Sequence, residues 1–199
     1  MIYLFSKPQA IGSILTISEE HFPQFTPLEY LEWEAQQELR HEFIDGRISA
    51  MTSDVDRTRV AMNFSNMLQN HLQSTVCRVF GADVKVQILE SNSFLYPDVS
   101  VSGDVHDRSA NKFISHPCLI VEVLSPSTEA DNRGGRFALY RPMTSLQEYV
   151  LVSADRIGLD VHRLNERCEW EFSSYQSGDV IELKSVNFTF EIESTPFPA

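Results

Sequence analysis

The spacing of hydrophobic and polar positions changes several times along this chain, and each change marks an element. Thr26-Pro27-Leu28-Glu29 is a helix start, with threonine as cap, proline in the first turn and glutamate following. The run LEYLEWEAQQ places Leu28, Leu31 and Ala35 on one side, which predicts a short amphipathic helix. HEFIDGRISAM reads as two short strands joined by Asp45-Gly46, a dipeptide suited to a two-residue hairpin turn. A second helix is predicted from about Arg57 to Gln73, with Val60, Phe64, Met67, Leu68 and Leu72 on one stripe.

From Cys77 the period shortens to two. CRVFGADVKVQIL alternates, sending Val84, Val86 and Ile88 one way and Asp83, Lys85 and Gln87 the other. In YPDVSVSG, Val99 and Val101 share one face, and Asp98, Ser100 and Ser102 share the other. Residues 103–116 read as a polar connecting loop. CLIVEVL is almost wholly apolar, as expected of a central strand buried on both faces. Ser125-Pro126-Ser127-Thr128 ends that strand and caps a helix over about Glu129 to Arg141. EYVLVSA, GLDVHRL, CEWEFSSY and FTFEIE supply further strands. Helices first, then strands crossed by one helix, predict a mixed α/β domain over 26–199 preceded by an N-terminal arm over 1–25.

Composition narrows the class. The chain has 199 residues with 42% hydrophobic and 22% charged, ordinary for a globular domain. Cys77, Cys118 and Cys168 show no metal-ligand spacing and leave an odd thiol, which points to a reducing compartment. No run approaches the ~18 apolar residues of a membrane span, and the start lacks the basic n-region of a secretory signal. A cytoplasmic location is the expectation. A formal charge of −12 counts against tight non-specific binding to nucleic acid. Even so, Arg57, Arg59, Lys85, Arg133, Arg136 and Arg141 form a basic punctuation in the middle of the chain that can steer an anion.

Two residues stand out against this background. Asp98 and Glu122 are isolated carboxylates within apolar strands, a costly placement unless something pairs with them. If the two strands are neighbours, both carboxylates converge on one hard cation, with the Val123 carbonyl as third ligand; oxygen donors of this kind suit magnesium or manganese. Such an ion assists phosphodiester hydrolysis. Glu129, Arg133, Arg136 and Tyr140 recur at helical spacing, so one face of the following helix is predicted to look toward the same place. Ser125 and Ser127 lack a nucleophile elbow and read as capping residues. The six histidines show no zinc spacing.

YPDVSV, IVEVLSPSTEA and FALYR with SLQEYVLV resemble the Uma family of restriction-endonuclease-like bacterial proteins, within the PD-(D/E)xK nuclease superfamily. The resemblance runs from about Pro27 to Phe190 and takes in HEFIDGRI and GADVKV. It implies an α/β fold, a restriction-endonuclease-like mixed β-sheet core flanked by helices, and a magnesium-dependent (or manganese-dependent) site acting on DNA. It assigns Asp98 and Glu122 as metal ligands, and Glu42 as the acidic residue, on or near a helix, that completes the site. Asp83 falls where such proteins often carry an aspartate before a basic residue. A homodimer is expected by the same analogy, because double-strand cleavage by this class usually takes two sites.

The departures from the family pattern are specific. Leu124 stands where the superfamily has its lysine, and Arg136 where the Uma family takes one from the helix. Asn132 replaces a common aspartate, and Thr58 a common histidine. Arginine keeps the charge but is a poor proton shuttle. The expectation is a metal-dependent endodeoxyribonuclease with Asp98, Glu122, Glu42 and Arg136 in its site. The alternatives are a catalytically silent relative that binds nucleic acid or protein, and a fold in which the carboxylates are merely paired internally.

Overall fold

The structure, a computed structural model, describes residues 25–51, 54–125 and 129–195. The arm expected over residues 1–25 therefore lies outside the described residues except for Phe25, as do Pro126 to Thr128 of the expected cap. The domain mixes α and β elements around two main sheets, in agreement with the mixed α/β expectation.

Helix α1 (Pro27–Glu34) begins as expected, with Thr26 and Glu29 forming a reciprocal capping box. Its buried side differs from the apolar count. Tyr30 and Glu34 face inward, while Leu28 is 66% exposed. Tyr30 stacks on Phe43 with centroids 5.0 Å apart, and one turn later Glu34 is tolerated inside because the His41 N–H and the Tyr96 hydroxyl donate to it. Strands β1 (His41–Ile44) and β2 (Arg47–Ala50) form the expected hairpin, with Ile44 opposite Arg47. Asp45 and Gly46 take φ of 51° and 82°, the left-handed pair that this tight turn requires.

Helix α2 (Val55–Leu72) starts two residues earlier than its stripe suggested, because the Asp54 carboxylate caps it by accepting from the Arg57 N–H at 3.0 Å. CRVFGADVKVQIL is not one strand. The chain turns after Gly81, with the Val84 N–H donating to the Gly81 carbonyl at 3.1 Å. It thus gives β3 (Arg78–Gly81) to one sheet and β4 (Lys85–Ile88) to another. β5 (Ser93–Leu95) pairs with β4, and the chain then crosses through Tyr96-Pro97-Asp98 into β6 (Val99–Ser102) of the first sheet. The expected loop over 103–116 contains a helical turn, α3 (Val105–Arg108), and a short strand, β7 (Phe113–Ile114). The buried Asp107 carboxylate pins this segment by accepting from Ser102 Oγ and from the Ser115 and His116 N–H groups.

The central strand β8 (Leu119–Leu124) is wholly buried. It pairs antiparallel with β6 and parallel with β9 (Glu148–Ser153). Between β8 and β9 runs the crossover helix: α4 (Glu129–Asp131), a π-helical stretch over Asn132–Arg136, and α5 (Phe137–Tyr140). β10 (Leu159–Leu164) and β11 (Trp170–Tyr175) extend the same sheet to the order β11-β10-β9-β8-β6-β3. A second sheet runs β2-β1-β5-β4-β7, and β12 (Val180–Leu183) pairs with β13 (Phe188–Glu191) as a separate ribbon.

Alternation along β8 divides the core. Leu119, Val121 and Val123 pack with Val99, Val150 and the Val60, Phe64 and Leu68 stripe of α2. Ile120 and Leu124 look the other way, toward Tyr140, Tyr149 and Leu151, and toward Val86 and Ile88 of the second sheet. Glu122 lies between Ile120 and Leu124 on that second side. It therefore faces the crevice where the two sheets and the crossover helix meet.

Candidate active site

Asp98 enters the crevice from the crossing between the sheets. The register Val99↔Val121, continued by one residue, sets Asp98 beside Glu122 on the neighbouring strand. The Val123 N–H donates to Asp98 Oδ2 at 2.7 Å and fixes the carboxylate there. Glu42 comes from strand β1, which packs against α1, so a placement on a helix itself is corrected. The hairpin delivers it, and the Tyr96 N–H donates to its Oε1 at 3.0 Å. Three carboxylates from two sheets thus converge. Glu122 is 0%, Asp98 6% and Glu42 8% exposed.

Two guanidinium groups share this buried space. Arg136 donates from Nε to Glu122 Oε1 at 2.9 Å and from Nη1 to both Glu42 oxygens at 2.8 and 2.7 Å. The Tyr140 hydroxyl donates to Glu122 Oε1 at 3.3 Å. Arg57, from the first turn of α2, places Nε 3.0 Å from each Asp98 oxygen, and its Nη2 lies 3.6 Å from Glu122 Oε2. That Glu122 oxygen is buried and accepts no hydrogen bond. Burial pushes the Glu122 carboxyl up to about 7; Arg136 and Arg57 oppose the rise, and Asp98 and Glu42 add to it. Both guanidiniums are held above their ordinary value, because the carboxylates outweigh the burial that works against their charge.

The π-helical stretch explains why the expected basic face splits. Hydrogen bonding from i to i+5 inserts a residue into the turn, so Arg133 and Arg136 point apart. Arg133 donates to Glu129 and Asp160, and only Arg136 and Tyr140 reach the carboxylates. Asp83 also stays away. Its side chain is 77% exposed in the turn before β4 and pairs with Arg40. The Val123 carbonyl accepts from the Asn132 side chain at 3.5 Å, and Asn132 is in turn held by the Tyr149 hydroxyl, which donates to its carbonyl at 2.9 Å.

Arg57 appeared in the sequence only as part of a dispersed basic rim. The available signal was its place in the first turn of a helix, where a cation opposes the helix dipole unless a carboxylate compensates. Also missed was a neighbouring buried chain of polar groups, in which Lys85 donates to the Tyr96 hydroxyl at 2.9 Å and that hydroxyl donates to Glu34 at 2.8 Å. A cleft of about 290 Å³ opens over Asp98; Glu122 and Glu42 do not line it. Arg57, Asp98, Thr58, Asp54 and Arg40 line it, whereas Arg136 does not.

Comparison with known proteins gives the family and the fold. The family named Uma2, described as "Putative restriction endonuclease", matches residues 27–193. The chain belongs to the Uma2 family. Among curated Uma2-like relatives, the uncharacterized protein slr1290 of Synechocystis sp. is 41% identical over 173 residues, covering 86% of this chain and 91% of its own length. A second Synechocystis protein, sll1609, is 31% identical, covering 74% of this chain and 92% of its own. A crystal structure from Anabaena variabilis, described as "a putative nuclease belonging to DUF820", superposes with a TM-score of 0.71 at 16% identity. It covers 86% of this chain and 97% of that one, and shows that the Uma2 domain here shares its fold.

The departures from the Uma2 pattern now have places. Leu124 is a core residue packed between the sheets, where no polar group is presented to Asp98 or Glu122. Thr58 lines the cleft, and Asn132 is 1% exposed and donates to the Val123 carbonyl. Histidines also come together in a way their spacing did not announce. Donor atoms of Asp104, His106 and His116 lie within 4.8 Å of one another, and Asp104 there caps α3. Among the described residues, no helix is long and apolar enough to cross a membrane.

Proposed function

We propose that this Uma2 domain is a metal-dependent endodeoxyribonuclease that hydrolyses DNA phosphodiester bonds. The observation that carries the reading is the side-by-side placement of Asp98 and Glu122, with one Glu122 oxygen buried and unmatched by any donor. Three carboxylates against two guanidiniums leave the cluster one negative charge in excess. Hard oxygen donors with a surplus of negative charge suit magnesium or manganese. Asp98, Glu122 and the Val123 carbonyl are the proposed ligands. The carbonyl has two lone pairs and can serve both Asn132 and a cation.

A bound divalent ion supplies Lewis-acid polarisation of the phosphodiester and activation of a water. The chain's own residues divide the remaining work. Arg136, 7% exposed and fully engaged, acts as a positioning residue that locks Glu122 and Glu42 together. It holds its proton throughout, since a guanidinium does not shuttle one. Arg57 and Arg40 line the cleft beside Glu38, Asp54 and Asp98 and are the proposed cationic contacts for a DNA phosphate. Paired action of two copies as a homodimer belongs to the same proposal.

A second reading has its own support. Arg136 and Arg57 already satisfy most carboxylate oxygens, and Leu124 leaves the cluster without a lysine. A silent relative that binds nucleic acid or protein fits these facts as well. Cleavage of supercoiled plasmid with magnesium or manganese separates the two, with Asp98→Ala protein purified in parallel. Cleavage by wild type and its loss in the variant supports the nuclease. Absence of cleavage from folded wild-type protein with either ion overturns it.

A further inference from the structure

We infer that Arg57 is a built-in counter-cation occupying the proposed metal position, so that a divalent ion binds only by displacing it from Asp98. This rests on the metal-dependent reading of the same site. The geometry points to displacement. Arg57 Nε lies 3.0 Å from both Asp98 oxygens at once, covering the edge a cation needs. The Val123 N–H takes a further position on Oδ2 at 2.7 Å. The other end of the guanidinium sits 3.6 Å from the unmatched Glu122 Oε2. The side chain therefore spans the two proposed ligands. A magnesium ion approaches its oxygens to about 2.1 Å, and there it would meet the guanidinium as a like charge at contact distance.

Charge balance leads to the same conclusion. Asp98, Glu122 and Glu42 contribute three negative charges, and Arg136 and Arg57 two positive ones. Adding a divalent ion with Arg57 in place gives an excess of one positive charge in a buried space. Exchanging Arg57 for the ion gives neutrality, which is the cheaper state in a low-dielectric setting. The route out exists, because Arg57 and Asp98 both line the 290 Å³ cleft, while Arg136 is enclosed behind them. The Arg57 backbone stays anchored by the Asp54 cap, so only the side chain has to move. Once displaced, the guanidinium remains at the cleft mouth, where an anionic backbone enters. In the resting site Arg57 thereby keeps Asp98 paired until cation and phosphate arrive together.

The test is manganese binding without DNA, followed by calorimetry and by the electron paramagnetic resonance of free Mn²⁺. Arg57→Gln is expected to bind Mn²⁺ at least about tenfold more tightly than wild type, since a competing charge at contact distance is gone. Arg57→Lys keeps the charge and is expected to stay near wild type. Asp98→Ala added to Arg57→Gln should abolish the gain. Equal or weaker binding by folded Arg57→Gln, with wild-type binding still sensitive to Asp98→Ala, overturns the counter-cation role and leaves the metal reading standing. No binding by either protein overturns both. A measurement on wild type needs no variant to fold: the arginine Nε–H resonances followed by NMR during magnesium titration. Displacement predicts that the protected Arg57 signal shifts or is lost as the ion saturates. An unchanged signal at saturation refutes it.

Discussion

Arg136 is the residue whose removal tests the buried cluster most directly. Substituting methionine keeps an unbranched apolar side chain in the crevice but leaves Glu42 and Glu122 without the guanidinium that donates to both at 2.7–2.9 Å. Breaking a buried pair by removing one partner costs roughly 3–5 kcal/mol, because the remaining charge stays buried and uncompensated. For a domain of this size that corresponds to a fall in Tm of roughly 6–20 °C. The cost is also expected to depend on pH. The Glu122 carboxyl is raised to about 7, so at pH 5.5 it is mostly protonated and gains little from Arg136. At pH 8 it is charged in the wild type, so the loss is larger there, limited by proton uptake on the variant's Glu122 once Arg136 no longer holds it down. Urea unfolding of wild type and Arg136→Met, followed by the fluorescence of the two tryptophans, measures both values. The paired variant Glu122→Gln/Arg136→Met should recover part of the loss at pH 8 and little at pH 5.5. A loss below about 1 kcal/mol at pH 8, or an equal loss at both pH values, refutes the premise that Arg136 works by compensating buried carboxylates.

Two further outcomes follow from the same geometry. A carboxyl raised in the folded state stabilises the protein fully below its unfolded value, and that contribution is lost as pH climbs through the folded value. For Glu122 the window runs from the usual 4.5 to about 7. At about 1.4 kcal/mol for each tenfold change in proton affinity, this amounts to about 3 kcal/mol. Glu122→Gln should therefore flatten the fall in unfolding free energy across that window, and an unchanged slope counts against it. Gly46 holds φ of 82° in the hairpin that delivers Glu42. Gly46→Ala should cost about 1–2 kcal/mol through left-handed strain, read as a lowered urea midpoint; an unchanged midpoint would show that the turn relaxes freely.

Much of this site was legible because strands have a period of two. That rule alone put Asp98 opposite Val99 and Val101 in direction and set Glu122 between Ile120 and Leu124, and the observed faces agree. The hairpin at Asp45-Gly46 was equally plain, since few residues other than glycine and asparagine-like ones accept the backbone it needs. What stayed hidden is nonlocal. In CRVFGADVKVQIL the alternation is clean only over residues 83–88, and that the part ending at Gly81 and the part beginning at Lys85 join different sheets is set by distant partner strands. Nothing local marks Glu34 for burial, which depends on His41 and on Tyr96, a residue 62 positions away.

The helix after β8 shows the same limit at finer scale. A regular helix puts residues 129, 133, 136 and 140 on one face, and the sequence reads that way. The π-helical turn at Asn132–Arg136 breaks the rule at the site, sending Arg133 to Asp160 and Arg136 to Glu122. Gly135 lies inside that turn, where an added Cβ would come within 2.6 Å of the Asp131 carboxylate. Gly134-Gly135 thus lies within a local change of helical register. That register aims one arginine at Glu42 and Glu122, while Arg57, from a different helix, pairs with Asp98 and lines the cleft together with Arg40. The lysine absent at Leu124 is consequently not replaced by a single residue. On the proposed reading, its charge is divided between Arg136, which pairs with Glu42 and Glu122, and Arg57, which pairs with Asp98 and lines the cleft.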